Sequence, residues 1–165
     1  MLTGPTMRRV SGLVDQETAA PPVRPSAEAL AVWRSFLRAH AQLLRTLESE
    51  LAGADELPLA SYDVLVQLTE APLRRLRMTE LADRVLLSRS GLTRLVDRLE
   101  RDGLVRREPC LDDARGLFAV ATDLGVDRLR QASRIHLAGI ERHFVERFSA
   151  AELVQLGGLL ARLST

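Results

Sequence analysis

The segment from Leu86 to Val105, LLSRSGLTRLVDRLERDGLV, sets Arg89, Arg94, Arg98 and Arg101 among apolar residues at three- and four-residue steps. At about 100° per residue on a helix, Leu92, Leu95, Val96 and Leu99 fall in one narrow arc that must be buried. Ser90, Arg94, Asp97 and Arg101 lie almost opposite, with Thr93 and Arg98 beside them. Small side chains near a helix start let it approach the floor of the DNA major groove. There an arginine can bond guanine O6 and N7 together, and Ser or Thr can reach bases or phosphates. The same residues suit a plain solvated face. Arg94–Asp97 and Asp97–Arg101 are spaced for pairs that support a helix with no ligand at all.

Charge favours the first reading locally but not globally. The chain of 165 residues has a net charge of +1, so no overall basic field points to nucleic acid. All 23 basic residues are arginine, a bias that fits a GC-rich genome. Between Arg74 and Arg107, however, ten arginines stand against five acids. A local positive excess of this kind is the footprint of a phosphate-facing surface.

Other chemistry is sparse. Cys110 is the one cysteine, so no disulfide can form within the chain. Beside Arg106, Arg107 and Arg115 in a loop-like stretch, it reads as an exposed thiol, more simply an incidental cysteine than an oxidant sensor. His40, His136 and His143 have no Cys, Asp or Glu that completes a metal set. Asp112-Asp113 reads as a turn, not a carboxylate pair. Without a Gly-rich phosphate loop, nucleophile elbow or Ser/His/Asp grouping, the chain reads as no enzyme, with no cofactor and no catalytic residue.

The elements that must position the arginine helix follow from caps and periodicity. Residues 1–25 carry four prolines and two glycines with little periodicity and read as a flexible arm. Ser26 caps a helix ending at Gly53, with Leu30, Trp33, Leu37, Ala41, Leu44, Leu47 and Leu51 on one stripe. A second helix runs from about Leu59 to Thr69, and Pro72 closes it. Thr79 caps a short helix with Leu81, Ala82 and Val85 inward. After a break at Leu86-Leu87, Ser88 caps the arginine helix and Gly103 ends it. Residues 104–108 and 117–121 read as two strands around a charged loop, a hairpin. Thr122 caps a long helix to about Phe148, with Leu124, Leu129, Ala132, His136, Ile140, Phe144 and Phe148 near one stripe. Ser149 to Glu152 forms a capping box for a last helix. The fold class is mainly α with a small β-hairpin wing: a helix-turn-helix lobe plus a helical region.

The stretch RMTELADRVLLSRSGLTRLVDRLERDGLVRREPCLDDARGLFAVATDLG resembles the core of the MarR family of winged helix-turn-helix regulators, including a D-x-R as Asp113-Ala114-Arg115. The resemblance implies a homodimer, usually a repressor, that binds a palindromic DNA operator and is often released by a small-molecule effector; the lone cysteine and the lack of a long apolar run point to a cytoplasmic protein. By position it implies that Ser88, Arg89, Ser90, Thr93, Arg94 and Arg98 contact DNA from the helix, that Arg115 enters the minor groove, and that Asp113 holds the wing in shape. It divides the chain into the arm 1–25, a dimerisation helix 26–56, a winged lobe 57–122 and dimerisation helices 123–165. The long stripes support a dimer independently, because a small lobe cannot cover them all.

Trp33, His40, Tyr62 and His136 are candidates to line an effector pocket for a small aromatic or anionic molecule, although for any single one core packing is the simpler explanation. No run of about eighteen apolar residues suggests a membrane span. Two alternatives remain open: a winged-helix protein-interaction module, which would not need small residues framing arginine at the groove-facing positions, and a thiol redox switch through Cys110.

Overall fold

A computed structural model of the protein describes residues 24–54, 56–85, 87–110 and 113–163; the side chains of Arg89 and of residues 113–115 lie outside the description. Among the described residues the order is α1 (Ala27–Gly53), α2 (Leu59–Glu70), β1 (Arg75–Arg77), α3 (Met78–Arg84), α4 (Arg89–Arg101), β2 (Val105–Cys110), β3 (Asp113–Ala121), α5 (Asp123–His143) and α6 (Ala150–Ala161). The architecture is mainly helical, with one antiparallel sheet in the order β1-β3-β2. The arm assigned to 1–25 lies outside the described residues except for its last two.

The caps form as their residue types require. Ser26, Ser88, Thr122 and Ser149 each accept a backbone N–H from the first turn of their helices. Glu152 reaches back to the Ser149 N–H at 2.8 Å and completes the capping box. Gly103 adopts φ of +73°, the left-handed conformation that closes α4. Thr122 does double duty: its Oγ1 accepts from the Gly125 N–H and donates to the Gly103 carbonyl at 2.7 Å, fixing α5 to the end of α4.

Four expectations need correction. The short helix begins at Met78, one residue earlier than a Thr79 cap allows. Its N-cap is Arg77, whose N–H donates to the Glu80 carboxylate at 3.2 Å. The hairpin is longer than its composition suggests, since β2 continues to Cys110 and β3 starts at Asp113, with an irregularity at Pro109/Cys110. The long helix stops at His143, and a 3-10 turn, Val145–Arg147, precedes Phe148. Leu124, placed on the buried stripe, is 53% exposed, because Val126, Leu129 and Ala132 are the residues that turn inward. The third strand, β1, was not foreseen. It pairs Arg75 with Val120 and Arg77 with Phe118.

One apolar core joins α2, α3, α4 and the sheet with the end of α1 and the first half of α5. Leu51, Leu65, Leu68, Leu81, Val96 and Leu99 are at its centre. The rest of α1 and all of α6 are not covered: Trp33 is 54% exposed, Val32 70% and Val154 77%, and no residue of α6 is buried. Among the described residues no helix is long and apolar enough to cross a membrane.

Candidate nucleic-acid interface

The arginine helix divides as its periodicity requires. Leu92, Leu95, Val96 and Leu99 are buried, and Ser90, Thr93, Arg94, Asp97, Arg98 and Arg101 are exposed. Ser88 is held at the helix start by its cap bond to the Gly91 N–H, and its Oγ lies 3.4 Å from that of Ser90. Gly91 leaves room for this cap, since a Cβ there would sit 3.1 Å from the Ser88 Oγ. The result is a smooth, hydroxyl-bearing helix start with arginines one turn further on.

The acids of α4 do not pair as helical spacing suggests. Asp97 and Glu100 turn instead to Arg107 on β2. Arg107 Nη2 donates to Asp97 Oδ1 at 2.7 Å, Nη1 donates to Glu100 Oε2, and the Arg107 backbone N–H donates to Glu100 Oε1 at 2.9 Å. Burial works against the guanidinium charge, but bonds to Asp97 and Glu100 outweigh it and hold the pKa above its ordinary value. Arg101 points its Nε at the Asp97 carbonyl, 3.3 Å away. Arg94 and Arg98 make no ion pair among the described residues, so their charges face outward uncompensated.

Arg107 and its two acids were missed by sequence reasoning. One signal was available: on a strand, Arg107 shares a face with the buried Val105, so its side chain had to find partners beside the core. A second basic cluster lies at the base of the wing. Arg75 stacks over the Phe118 ring at 4.7 Å and Arg77 at 5.7 Å. Glu108 draws in Arg106 at 2.6 Å. Arg89, Asp113 and Arg115 have side chains outside the described residues. The backbones of Asp113 and Arg115 lie on β3, beside β2.

A helix-turn-helix with an arginine-bearing outer face, followed by a two-stranded wing tied to it, invites comparison with known regulators. A MarR family model matches residues 56–116. The HTH-type transcriptional repressor YetL of Bacillus subtilis is 31% identical over 142 residues, which cover 84% of this chain and 84% of YetL. The chain belongs to the MarR family. Two solved structures agree. Sco3205, a MarR family regulator from Streptomyces coelicolor solved in complex with DNA, is 37% identical, with a TM-score of 0.81 over 88% of this chain and 91% of that one. AbsC, from the same organism, is 33% identical, with a TM-score of 0.79 over 87% and 96%. The protein is thus a MarR-family transcriptional regulator and not an enzyme.

In this MarR-family chain the four candidate effector residues separate into two pairs. Tyr62 and His136 pack together, ring centroids 4.4 Å apart, on the wall of a cleft of about 630 Å³ between α1, α2 and α5. Trp33 and His40 do not line it. They flank Phe36 on the open face of α1, in a ladder with centroid spacings of 6.0 and 6.2 Å. The cleft instead acquires Glu48 and Asp63, which carried no sequence signal because they read as ordinary helix-surface acids. Burial pushes the His136 pKa down, so the ring stays neutral, and its Nδ1 is buried with no hydrogen-bond partner among the described residues. His143 lies apart, bonded to Glu50 at 2.8 Å.

Cys110 also departs from expectation. It is 5% exposed, because it sits on β2 and not in a loop. A buried thiol lacks the access that an oxidant-sensing cysteine requires. Among the described residues there is no group of three or more His, Cys, Asp or Glu that could hold a metal.

Proposed function

We propose that the protein is a cytoplasmic repressor that binds a palindromic DNA operator as a homodimer. The observation that carries this reading is the division of α4. Its apolar arc is sealed in the core, while Ser90, Thr93, Arg94 and Arg98 stand on the open face beside the wing. Ser88, Arg89, Ser90, Thr93, Arg94 and Arg98 contact bases or adjacent phosphates in the major groove. Arg115 enters the neighbouring minor groove, where the negative potential is focused, and Asp113 steadies the wing.

The dimer reading is supported by the uncovered stripes. Val32, Trp33, Phe36 and Leu37 on α1, with Val154 and Leu159 on α6 and Leu163 just beyond it, are large apolar side chains left exposed, as expected of a surface that meets a partner. Segments 26–56 and 123–165 supply the dimer contact, and 57–122 is the DNA-reading lobe. A small-molecule effector in the cleft releases the operator. Leu87 and Ala60 line both the cleft and the concave surface beside Arg94 and Arg98, so a ligand on one side touches residues that shape the other.

Selection of bound sequences from a random DNA pool tests the reading. It requires a palindrome whose half-sites are about 10 bp apart, one helical turn. Recovery of no consensus, or of a single unrepeated half-site bound one to one, refutes it. Recovery of no consensus would favour the protein-interaction alternative.

A further inference from the structure

The cleft between α1, α2 and α5 has a volume in the range of small-molecule sites, about 300–1,000 Å³. Its walls are apolar: Leu43, Leu47, Leu59, Val66, Ile140 and Phe144. What distinguishes it is the polarity of the few groups that break this surface. No arginine lines it among the described residues, although arginine is the chain's most frequent charged residue. Glu48 and Asp63 both do. Glu48 is fixed at the mouth, its Oε2 accepting the Leu59 N–H at 2.8 Å. Asp63 is half-buried, and burial pushes its pKa up against a hydrogen bond from Gln67. A carboxyl that loses water without gaining a cation is in an environment that a cation would relieve.

The neutral groups have the same bias. Ser133 donates its one hydroxyl proton to the Leu129 carbonyl at 2.7 Å. The Tyr62 hydroxyl, 3.2 Å from Ser133 Oγ, must therefore donate to it, which leaves the Tyr62 oxygen with acceptor capacity only. The cleft thus offers two carboxyl groups and a phenol oxygen within an apolar shell, and no arginine among the described residues. A carboxylate ligand would meet two acids there and no guanidinium.

We propose that the cleft takes a cationic amphiphile, an amine with an apolar or aromatic body, and discriminates against the anion of the same shape. This deepens the effector reading given above and rests on it for what the ligand does, but not for what the ligand is. Of the aromatic or anionic effector expected from the sequence, it keeps the aromatic body and proposes a cation in place of the anion.

The test is calorimetric titration of the full-length chain at pH 7.5 with 4-phenylbutylamine and 4-phenylbutyrate, which share a body and differ in charge. The amine should bind at least about tenfold more tightly than the carboxylate. Asp63→Asn, which is isosteric, should narrow that ratio by several-fold. Glu48→Gln should do the same while keeping an oxygen for the Leu59 N–H, so the test does not depend on one variant folding. Equal or tighter binding of the carboxylate overturns the proposal. So does binding of neither compound, or an unchanged ratio in both variants. Operator affinity measured with and without the amine separates the two readings. An amine that binds with the stated charge dependence but leaves operator affinity unaltered upholds the ligand chemistry and refutes only the effector role.

Discussion

Neutralising an acid on a DNA-facing helix should tighten DNA binding if charge is all that matters. Asp97 and Glu100 make this a decisive experiment, because both bind Arg107 and so fasten α4 to the wing. The expected outcome is that Asp97→Asn and Glu100→Gln each weaken operator binding. A charge-assisted hydrogen bond is worth about 1.5–3 kcal/mol when well buried. The Arg107 side chain is 20% exposed, but Asp97 and Glu100 are 51% and 39% exposed, so solvent screening reduces each contact to about 0.5–1 kcal/mol. That loss hardly unfolds a domain. It does allow the helix and the wing to move apart, so that DNA binding must fix an orientation the free protein no longer holds. A restriction of about 1 kcal/mol predicts roughly fivefold weaker binding, whereas removal of one repulsive charge would predict tighter binding. Fluorescence anisotropy on the selected operator at several salt concentrations, with urea denaturation of each variant, separates the two effects. Arg107→Met should weaken binding at least as much as either acid variant and should make the salt dependence shallower, because the wing contacts are less often made. If Asp97→Asn or Glu100→Gln binds the operator more tightly than the unmodified chain, the three residues are surface ions and not a clamp.

The other expectations are more direct. Arg94→Ala should cost about 1–3 kcal/mol on the operator and relax preference at one position per half-site, while Arg101→Ala, whose guanidinium is turned to the Asp97 carbonyl, should change little; titration on specific and scrambled DNA compares them. Arg115→Ala should leave folding intact and weaken binding most where the flanks are AT-rich, which binding to paired operators with AT- and GC-rich flanks would reveal. Trp33→Arg, on the open α1 stripe, should shift the chain towards monomer in sedimentation at micromolar concentration; an unchanged dimer would place the interface elsewhere. His136 has a pKa pushed below its ordinary 6.5 by burial, so the unfolded chain takes up a proton that the folded chain refuses. Its contribution to stability is full above about pH 6.5 and declines as pH falls below it, and His136→Phe should flatten that part of the urea-measured stability profile.

Features fixed by near neighbours were legible before the structure was known. The four caps at Ser26, Ser88, Thr122 and Ser149 each depend on a hydroxyl and an N–H three residues away, and the buried arc of α4 depends only on helical period. What was not legible depends on distant pairing. The strand Arg75–Arg77 is too short to declare itself and exists because β3 lies beside it. The turn before it holds Leu73 and Arg74 at φ of 56° and 54°, which no propensity suggests for these residues. Cys110 read as loop because Pro, Asp and Gly surround it, yet pairing with Asp113 extends the sheet to include it. The candidate pocket divided for the same reason. Tyr62 and His136 meet only because α2 and α5 cross, whereas Trp33 and His40 lie on the part of α1 that neither helix reaches.

The charge count of the arginine-rich stretch shows how such a local excess has to be interpreted. Ten arginines against five acids between Arg74 and Arg107 implies a diffuse positive surface. The structure distributes these charges unevenly. Arg107 is surrounded by Asp97 and Glu100, Arg106 is bound to Glu108, Arg74 is paired with Asp123 and Arg101 is turned to a carbonyl. Two of the five acids in the stretch, Asp97 and Glu100, are therefore engaged with Arg107, which ties α4 to the wing. Arg94 and Arg98 make no ion pair among the described residues, although the chain as a whole is nearly neutral. Near-neutrality then limits nonspecific attraction to DNA, which scales with the number of phosphates neutralised. On the proposed reading, discrimination then falls to the few positions where Ser90, Thr93 and Arg94 would meet the groove.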